Sequence, residues 1–563
     1  MSAVETLPWL ASYPPGVPAE ITLDPEASLV GLLEDAFRRH ASRDAALCMG
    51  SRIRFRDIDD LSTALGAWLQ GKGLTKGARV AIMMPNLPQY LVSISAILRA
   101  GYVVVNVNPL YTARELQHQL VDSGAEAIIV LENFAATLEE VIEHTGVRHV
   151  VLASMGDLLG FWKGALINFV VRHARKMVPA FRLPLGEGRT VVRFNMAIAE
   201  GSSASLRRLP VSGGDVAFLQ YTGGTTGVSK GATLLHRNVV ANILQCEAWF
   251  DPMLKTVGSR QITIVCALPL YHIFALTACF MLGTRLGMLT VLIPNPRDIP
   301  GLVKTLQGVK VNMFPAVNTL FNALAHDPDF ARLDFSELVI SNGGGMAVQQ
   351  ATAEKWRKVT GCPIVEGYGL SETSPVATIN RFDAPSFTGT IGLPMPSTQI
   401  SIRDDAGDPV AIGTAGEICI RGPQVMAGYW QRPEETAATM TADGYFRSGD
   451  IGIMDEGGYI RIVDRKKDMI LVSGFNVYPT ELEQVVGLHP GVLECAAVGV
   501  PDARSGEAVK LFVVRKDASL DEEDLARYCK DNFTAYKRPK YIEFRDDLPK
   551  SNVGKILRRE LRQ

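Results

Sequence analysis

The chain has 563 residues, 57 basic and 59 acidic side chains, and a net charge of −2. A 47% hydrophobic and 21% charged composition is that of an ordinary globular protein and excludes a long disordered or fibrous chain. The near-neutral balance excludes a nucleic-acid backbone as the main partner. At about 150 residues per domain, the length predicts three to four domain-sized units. The eight cysteines include no Cys-x-x-Cys pair, so reduced thiols are expected, with neither a disulfide framework nor a structural zinc. The opening MSAVETLPWLASYPPG lacks a basic start followed by an apolar run, so no secretory signal is expected.

Taken in chain order, Leu29, Leu32, Leu33, Ala36 and Phe37 recur at helical spacing behind Ser28, which is placed to cap. RVAIMMP (79–85) reads as a strand, the next stretch as a helix, and YVVVNVNP (102–109) as another strand. AEAIIVLE and HVVLAS continue the alternation, which predicts parallel sheets with crossover helices. Within 157–179, Trp162, Ala165, Leu166, Phe169 and Val170 share one helical face, and Lys163, Arg172, Arg175 and Lys176 supply positive charge. Such a helix either packs its apolar face on the core or lies on an anionic membrane surface. Residues 262–284 carry no Asp, Glu, Lys or Arg and are long enough for a membrane span. Pro269 interrupts that helix, so a buried strand, turn and helix is the expectation. The charged run DRKKD (464–468) marks the start of a small C-terminal unit. There Thr480 and Glu483 predict a capping box, and Val509, Leu511 and Val513 alternate as a strand.

YTGGTTGVSKGA (221–232) follows the apolar VAFLQ. Its glycines reach backbone conformations closed to other residues, its Thr and Ser hydroxyls donate, and Lys230 is positive. Such a loop can wrap a polyphosphate. It is not a Walker A loop, because Ser229 precedes Lys230 and Gly231 follows it.

This segment resembles the phosphate loop of the acyl-adenylate-forming superfamily, which includes acyl-CoA synthetases, luciferases and peptide-synthetase adenylation domains. Further motifs follow in that family's order. PLYHIFALT (269–277) resembles the motif that brings His272 near the acyl carboxylate. SNGGGM (341–346) and EGYGLSET (366–373) resemble the adenine-binding pair. GYFRSGDIGIMDEGGYIRIVDRKKDMILVSGFNVYP (444–479) is similar to a segment typical of fatty-acyl-CoA synthetases, and LPKSNVGKILRREL (548–561) to the terminal catalytic motif. FPAVNTLFNAL (314–324) resembles the lining of an acyl tunnel.

The resemblance implies an α/β fold: a large N-terminal domain of Rossmann-like mixed sheets flanked by helices, with a β subdomain, and a small mobile α+β C-terminal domain. The implied boundaries are 1–464, a hinge at 465–468 around Lys467, and 469–563. It implies catalytic roles for Lys555, His272, Glu372 and Lys230. Tyr221, Thr222, Gly223, Gly224, Thr225, Thr226, Gly227 and Lys230 would hold phosphates, and Gly343, Gly344, Gly367, Tyr368 and Gly369 the adenine. Asp450 and Arg465 would hold the ribose, Lys467 would be the hinge contact, and Gly474 would line the pantetheine channel. Thr222 and Glu372 would hold Mg²⁺, an ion that favours one or two protein oxygens plus phosphates and water. The implied substrates are a fatty acid, ATP and coenzyme A, with no nucleic acid. The implied location is cytoplasmic, peripheral on the inner face of the membrane. The oligomeric state stays open, a homodimer included.

Overall fold

The computed structural model describes residues 7–184, 188–222, 229–384, 386–473, 475–502, 504–551 and 554–562. The expected phosphate contacts Gly223, Gly224, Thr225, Thr226 and Gly227, and the expected channel residue Gly474, lie outside the described residues.

The predicted alternation builds the first sheet. Arg79–Met83, Val103–Asn106, Ala127–Leu131 and His149–Ala153 pair in parallel, joined on one side by Thr190–Arg193 and on the other by Val216–Thr222. Lys230–Leu235 and Gly428–Tyr429 close that side antiparallel. The central strands Val103–Asn106 and Ala127–Leu131 are buried along their length, as crossover helices on both faces require. The predicted helix Leu29–His40 forms, and Ser28 Oγ accepts from Gly31 N at 3.3 Å.

A second sheet runs in the order Leu393–Pro394, Val376–Ile379, Ile364–Gly369, Ile340–Gly343, Met313–Ala316, Thr263–Cys266, Leu289–Leu292, Asp44–Cys48, Ser51–Arg54. It takes up the charge-free stretch 262–284 as expected: the buried strand Thr263–Cys266, a turn, and helical residues from Ile273 to Leu286. Among the described residues, no helix is long and apolar enough to cross a membrane. Both sheets share one continuous apolar core that includes the fully buried Trp249, whose Nε1 donates to the Asn380 carbonyl at 3.2 Å.

A third, antiparallel sheet follows in the order Gln399–Arg403, Gly416–Arg421, Phe446–Met454, Ile460–Arg465. From residue 470 onward the chain builds its own sheet, Phe475–Val477, Ile470–Val472, Gly506–Arg515 and Val492–Asp502, with Tyr541–Arg545 parallel to Gly506–Arg515. This part has separate apolar clusters around Leu482, Val509 and Leu525 and around Phe512 and Leu548. All eight cysteines are buried and free.

One sequence expectation is corrected, and one open alternative is narrowed. Thr480 and Glu483 do not form a capping box, because Pro479 starts the helix Pro479–Val486 and Tyr478 is its cap residue. Thr480 N instead donates to Asp464 Oδ2 at 2.7 Å, and Glu483 accepts from Ala497 N and binds Arg558. The amphipathic segment forms the helix Phe161–Phe169, continued to Ala174, but its apolar face is not packed on the core. Phe161, Trp162, Leu166 and Phe169 point outward.

Candidate functional site

The ends of the phosphate-loop segment are pinned from several directions. Thr222 and Lys230 are register partners on adjacent antiparallel strands. Ser229 Oγ donates to the Thr222 carbonyl at 2.6 Å, and His118 Nε2 lies 3.0 Å from the Ser229 carbonyl. Tyr221 Oη donates to Asp122 Oδ2 at 2.7 Å, while Arg432 Nη2 donates to Asp122 Oδ1 at 2.6 Å. Lys230 Nζ pairs with Glu435 and sits 5.4 Å from the centre of the Tyr429 ring. A polyphosphate entering this hairpin competes with Glu435 for the lysine.

The Ser371–Thr373 turn packs against both strands and presents Glu372 beside them. Glu372 is buried, its Oε1 accepts from Tyr429 Oη at 2.8 Å, and its backbone carbonyl accepts from Met426 N at 2.8 Å. Burial pushes the Glu372 carboxyl above its ordinary range, with the Tyr429 hydrogen bond pulling the other way. Among the described residues, no group of three or more His, Cys, Asp or Glu could hold a metal without help. One buried carboxylate beside a hydroxyl-bearing strand end instead fits a cation completed by phosphate oxygens and water, which is the habit of Mg²⁺.

The adenine-motif residues and Asp450 meet across the sheets. Tyr368 Oη donates to Asp450 Oδ2 at 2.6 Å, and Arg465 Nε lies 3.3 Å from Asp450 Oδ1. Asp450 and Arg465 are also direct register partners. Gly344 lies against Phe274 and the Gly367 carbonyl, so the His272 motif and the adenine motifs form one wall. At Gly369 a Cβ would stand 1.9 Å from the Pro375 carbonyl oxygen, so only glycine fits there. Lys467 is exposed in the turn after Ile460–Arg465.

The terminal motif reaches this wall. A Cβ at Gly554 would lie 2.6 Å from Thr319 Oγ1, and Lys555 Cε is 3.9 Å from a Cβ position at Gly345. Ser551 receives the turn: its Oγ accepts from Lys555 N at 3.1 Å, and its N donates to the Lys555 carbonyl at 2.7 Å. Burial lowers the Lys555 ammonium to about 8, helped by Arg465 and opposed by Asp450 and Glu372. The same lysine acts on His272, whose pKa burial and the Lys555 charge lower to about 3. His272 is therefore neutral near pH 7. Its Nδ1 accepts from Phe274 N at 3.3 Å, which puts the proton on Nε2.

Arg558, three residues beyond Lys555, fixes the tail. It binds Glu483 at 2.6 Å and lies 3.4 Å from Asp468 and 3.7 Å from Asp464. Burial works against its charge, but Glu483, Asp464 and Asp468 outweigh that and raise its pKa.

Sequence reading missed Tyr429, Arg432 and Glu435, which grip Glu372, Asp122 and Lys230. All three fall in GYWQRPEE (428–435). Their partners are 57 and 310 residues away for Tyr429 and Arg432, so no local pattern announces them.

Comparison with known proteins shows the family and the fold. Residues 33–430 match the model of the AMP-binding enzyme family, and residues 481–555 match that of the AMP-binding enzyme C-terminal domain. A long-chain-fatty-acid–CoA ligase of Escherichia coli O157:H7 is 54% identical over 555 residues, 98% of this chain and 97% of that one. A ligase of the same name from Haemophilus influenzae is 49% identical over 98% of each. The fold matches a crystal structure of an anthranilate CoA ligase in complex with anthranoyl-AMP, with a TM-score of 0.82 and 24% identity over 96% of this chain and 97% of that one.

Proposed function

The chain belongs to the AMP-binding enzyme family, and we propose that within it the protein is a long-chain fatty-acid–CoA ligase feeding fatty-acid degradation. The observation that carries this reading is the seating of Lys555 against the Gly345 end of the glycine wall, in the field of Arg465, Asp450 and Glu372 and close enough to act on His272. Full-length identity to two ligases named for long-chain fatty acids supports the acyl class.

A carboxylate oxygen attacks the α-phosphorus of ATP. A P–O bond forms, the bond to the bridging oxygen breaks, and pyrophosphate leaves. The protein's part in such a transfer is positioning and charge stabilisation. Tyr368, Asp450 and Arg465 orient the nucleoside: Asp450 accepts from the ribose hydroxyls, and the Tyr368 ring backs the base. Lys230 exchanges Glu435 for a phosphate. The Lys555 ammonium bridges carboxylate and phosphate, while the His272 Nε2–H donates a hydrogen bond to the acyl carboxylate and keeps its proton. Thr222 and Glu372 would hold Mg²⁺, which when bound neutralises phosphate charge. In the second step the coenzyme A thiol loses its proton to solvent, its sulfur attacks the acyl carbonyl, the C–S bond forms, the C–O bond to the phosphate breaks, and AMP leaves.

The functional units in this reading are residues 1–464, a hinge at 465–468 and a mobile unit at 469–563. Turning at Lys467 withdraws Lys555 and brings Ser473 and Phe475 toward the thiol route. Phe475 supports this, since it is exposed and stacks on Tyr536, 4.8 Å away within the same unit. The reading places the enzyme at the cytoplasmic face of the membrane, where long-chain acids partition. The test is pyrophosphate release and thioester formation across short, medium, long-chain and aromatic acids. Palmitate or oleate as the best substrate, with AMP and acyl-CoA as products, is the expected result. A preference for aromatic acids, or an adenylate that never reaches coenzyme A, would overturn it.

A further inference from the structure

The helix Phe161–Phe169 and its continuation to Ala174 turn the usual amphipathic arrangement inside out. One stripe anchors it. Gly164 is buried so closely that a Cβ there would stand 2.2 Å from the Gly156 carbonyl oxygen. Asn168 Oδ1 accepts from Gly156 N at 2.7 Å. Arg172 donates to both oxygens of the buried Glu132, at 2.9 and 3.0 Å, and to Ser154 Oγ at 2.9 Å. Arg193 adds a third bond to Glu132 at 2.6 Å. These contacts fix which face points out.

The opposite stripe is apolar and bare. Trp162, Leu166 and Phe169 follow at i, i+4 and i+7, which places them on one side of a helix. They are 82%, 63% and 60% exposed, with Phe161 at 80% and Met177 at 52% beside them. A contiguous exposed patch of large apolar side chains marks an interaction surface.

Charge identifies its occupant. Residues 158–186 contain Lys163, Arg172, Arg175, Lys176 and Arg182 and no acidic residue. Arg172 is spent on Glu132, whereas Arg175 and Lys176 are exposed at the end of the apolar stripe. A second copy of this chain meeting the patch across a two-fold axis would set these cations against their own copies. An anionic bilayer meets both features at once, with aromatic rings entering the headgroup boundary and cations lying among acidic headgroups.

We propose that this helix is a membrane-docking surface, in which Phe161, Trp162, Leu166 and Phe169 insert into the interface of an anionic bilayer and Arg175 and Lys176 contact its headgroups. The proposal deepens the peripheral location in the functional reading, yet its test needs no turnover. The intact protein is sedimented with vesicles of phosphatidylcholine alone or mixed equally with phosphatidylglycerol. Binding is expected on the mixed vesicles, at least tenfold weaker on the neutral ones, and weakened by salt. The triple variant Trp162→Ser, Leu166→Ser, Phe169→Ser should lose at least tenfold in partition. Arg175→Glu with Lys176→Glu should lose the preference for anionic lipid. Lipid brominated near the headgroups should quench wild-type tryptophan fluorescence and spare Trp162→Phe. Pyrophosphate release with a water-soluble medium-chain acid reports that the variants are folded, and it separates failure of the surface from failure of the ligase reading. Unchanged vesicle binding by the triple variant overturns the proposal. So does a concentration-dependent dimer in sedimentation velocity that the triple variant abolishes, which would assign the patch to a second copy.

Discussion

Burial brings the Lys555 ammonium down toward neutrality. Its ammonium is lowered to about 8, first by burial and then by Arg465. The charged form is therefore favoured below about pH 8 and lost above it: about nine-tenths is protonated at pH 7 and about one-tenth at pH 9. Adenylation that needs the ammonium must fall along an alkaline limb near pH 8 in kcat/KM. In kcat the limb moves higher, because bound triphosphate favours the charge. Lys555→Ala should cost about 10²–10³ in acyl-AMP formation, the scale for a lost preorganised electrostatic contact. It should spare thioester formation from supplied acyl-AMP. Lys555→Arg keeps a charge that does not titrate, so its residual activity should show no such limb. Arg465→Gln removes the like charge and should move the limb upward. The assay is initial-rate pyrophosphate release from pH 6 to 10, with acyl-AMP consumption measured separately. A flat wild-type profile to pH 10, or equal loss of both half-reactions in Lys555→Ala, refutes the reasoning.

Tyr429→Phe removes the hydrogen bond to Glu372 at 2.8 Å. A bond to a charged group contributes about 1.5–3 kcal/mol, so the Mg²⁺ half-saturation should rise about ten- to a hundredfold. Tyr429 also holds the Glu372 pKa down against burial, so the acid limb of kcat/KM should shift to higher pH; no change in either quantity contradicts the role. Arg558→Met strands the buried Asp464 and the partly buried Glu483 and should cost about 3–5 kcal/mol in the C-terminal unit, read by urea denaturation. Gly369→Ala drives a Cβ into the Pro375 carbonyl, and a loss of about 3 kcal/mol or more is expected by thermal melting; a wild-type Tm would show that the turn is slack.

Much of this was legible in the chain because its signals are local. Ser28 caps the helix it precedes, and the apolar runs at 79–85 and 127–131 became parallel strands. Pro269 correctly argued for a turn within a stretch of membrane-span length. The chemistry-bearing motifs lie on strand ends and turns that the sheets bring together, as with Asp450 and Arg465. What failed depends on distant partners. Thr480 and Glu483 have capping-box spacing, but Asp464 and Arg558, 16 and 75 residues away, claim them. Amphipathicity located the helix near Trp162 without giving its sign, because the Arg172–Glu132 anchor that orients it is a tertiary pair. Tyr429 carries no motif of its own and acts through Glu372 and Lys230, both distant in sequence.

The central claim is that one site makes an acyl-adenylate and then a thioester. The most direct measurement is a single turnover with oleate, ATP and Mg²⁺ and no coenzyme A, quenched and resolved, followed by a chase with coenzyme A. Oleoyl-AMP equal to the pyrophosphate released, converting to oleoyl-CoA and AMP in the chase, is the predicted result. ADP with an acyl phosphate, or an adenylate that persists through the chase, would contradict it.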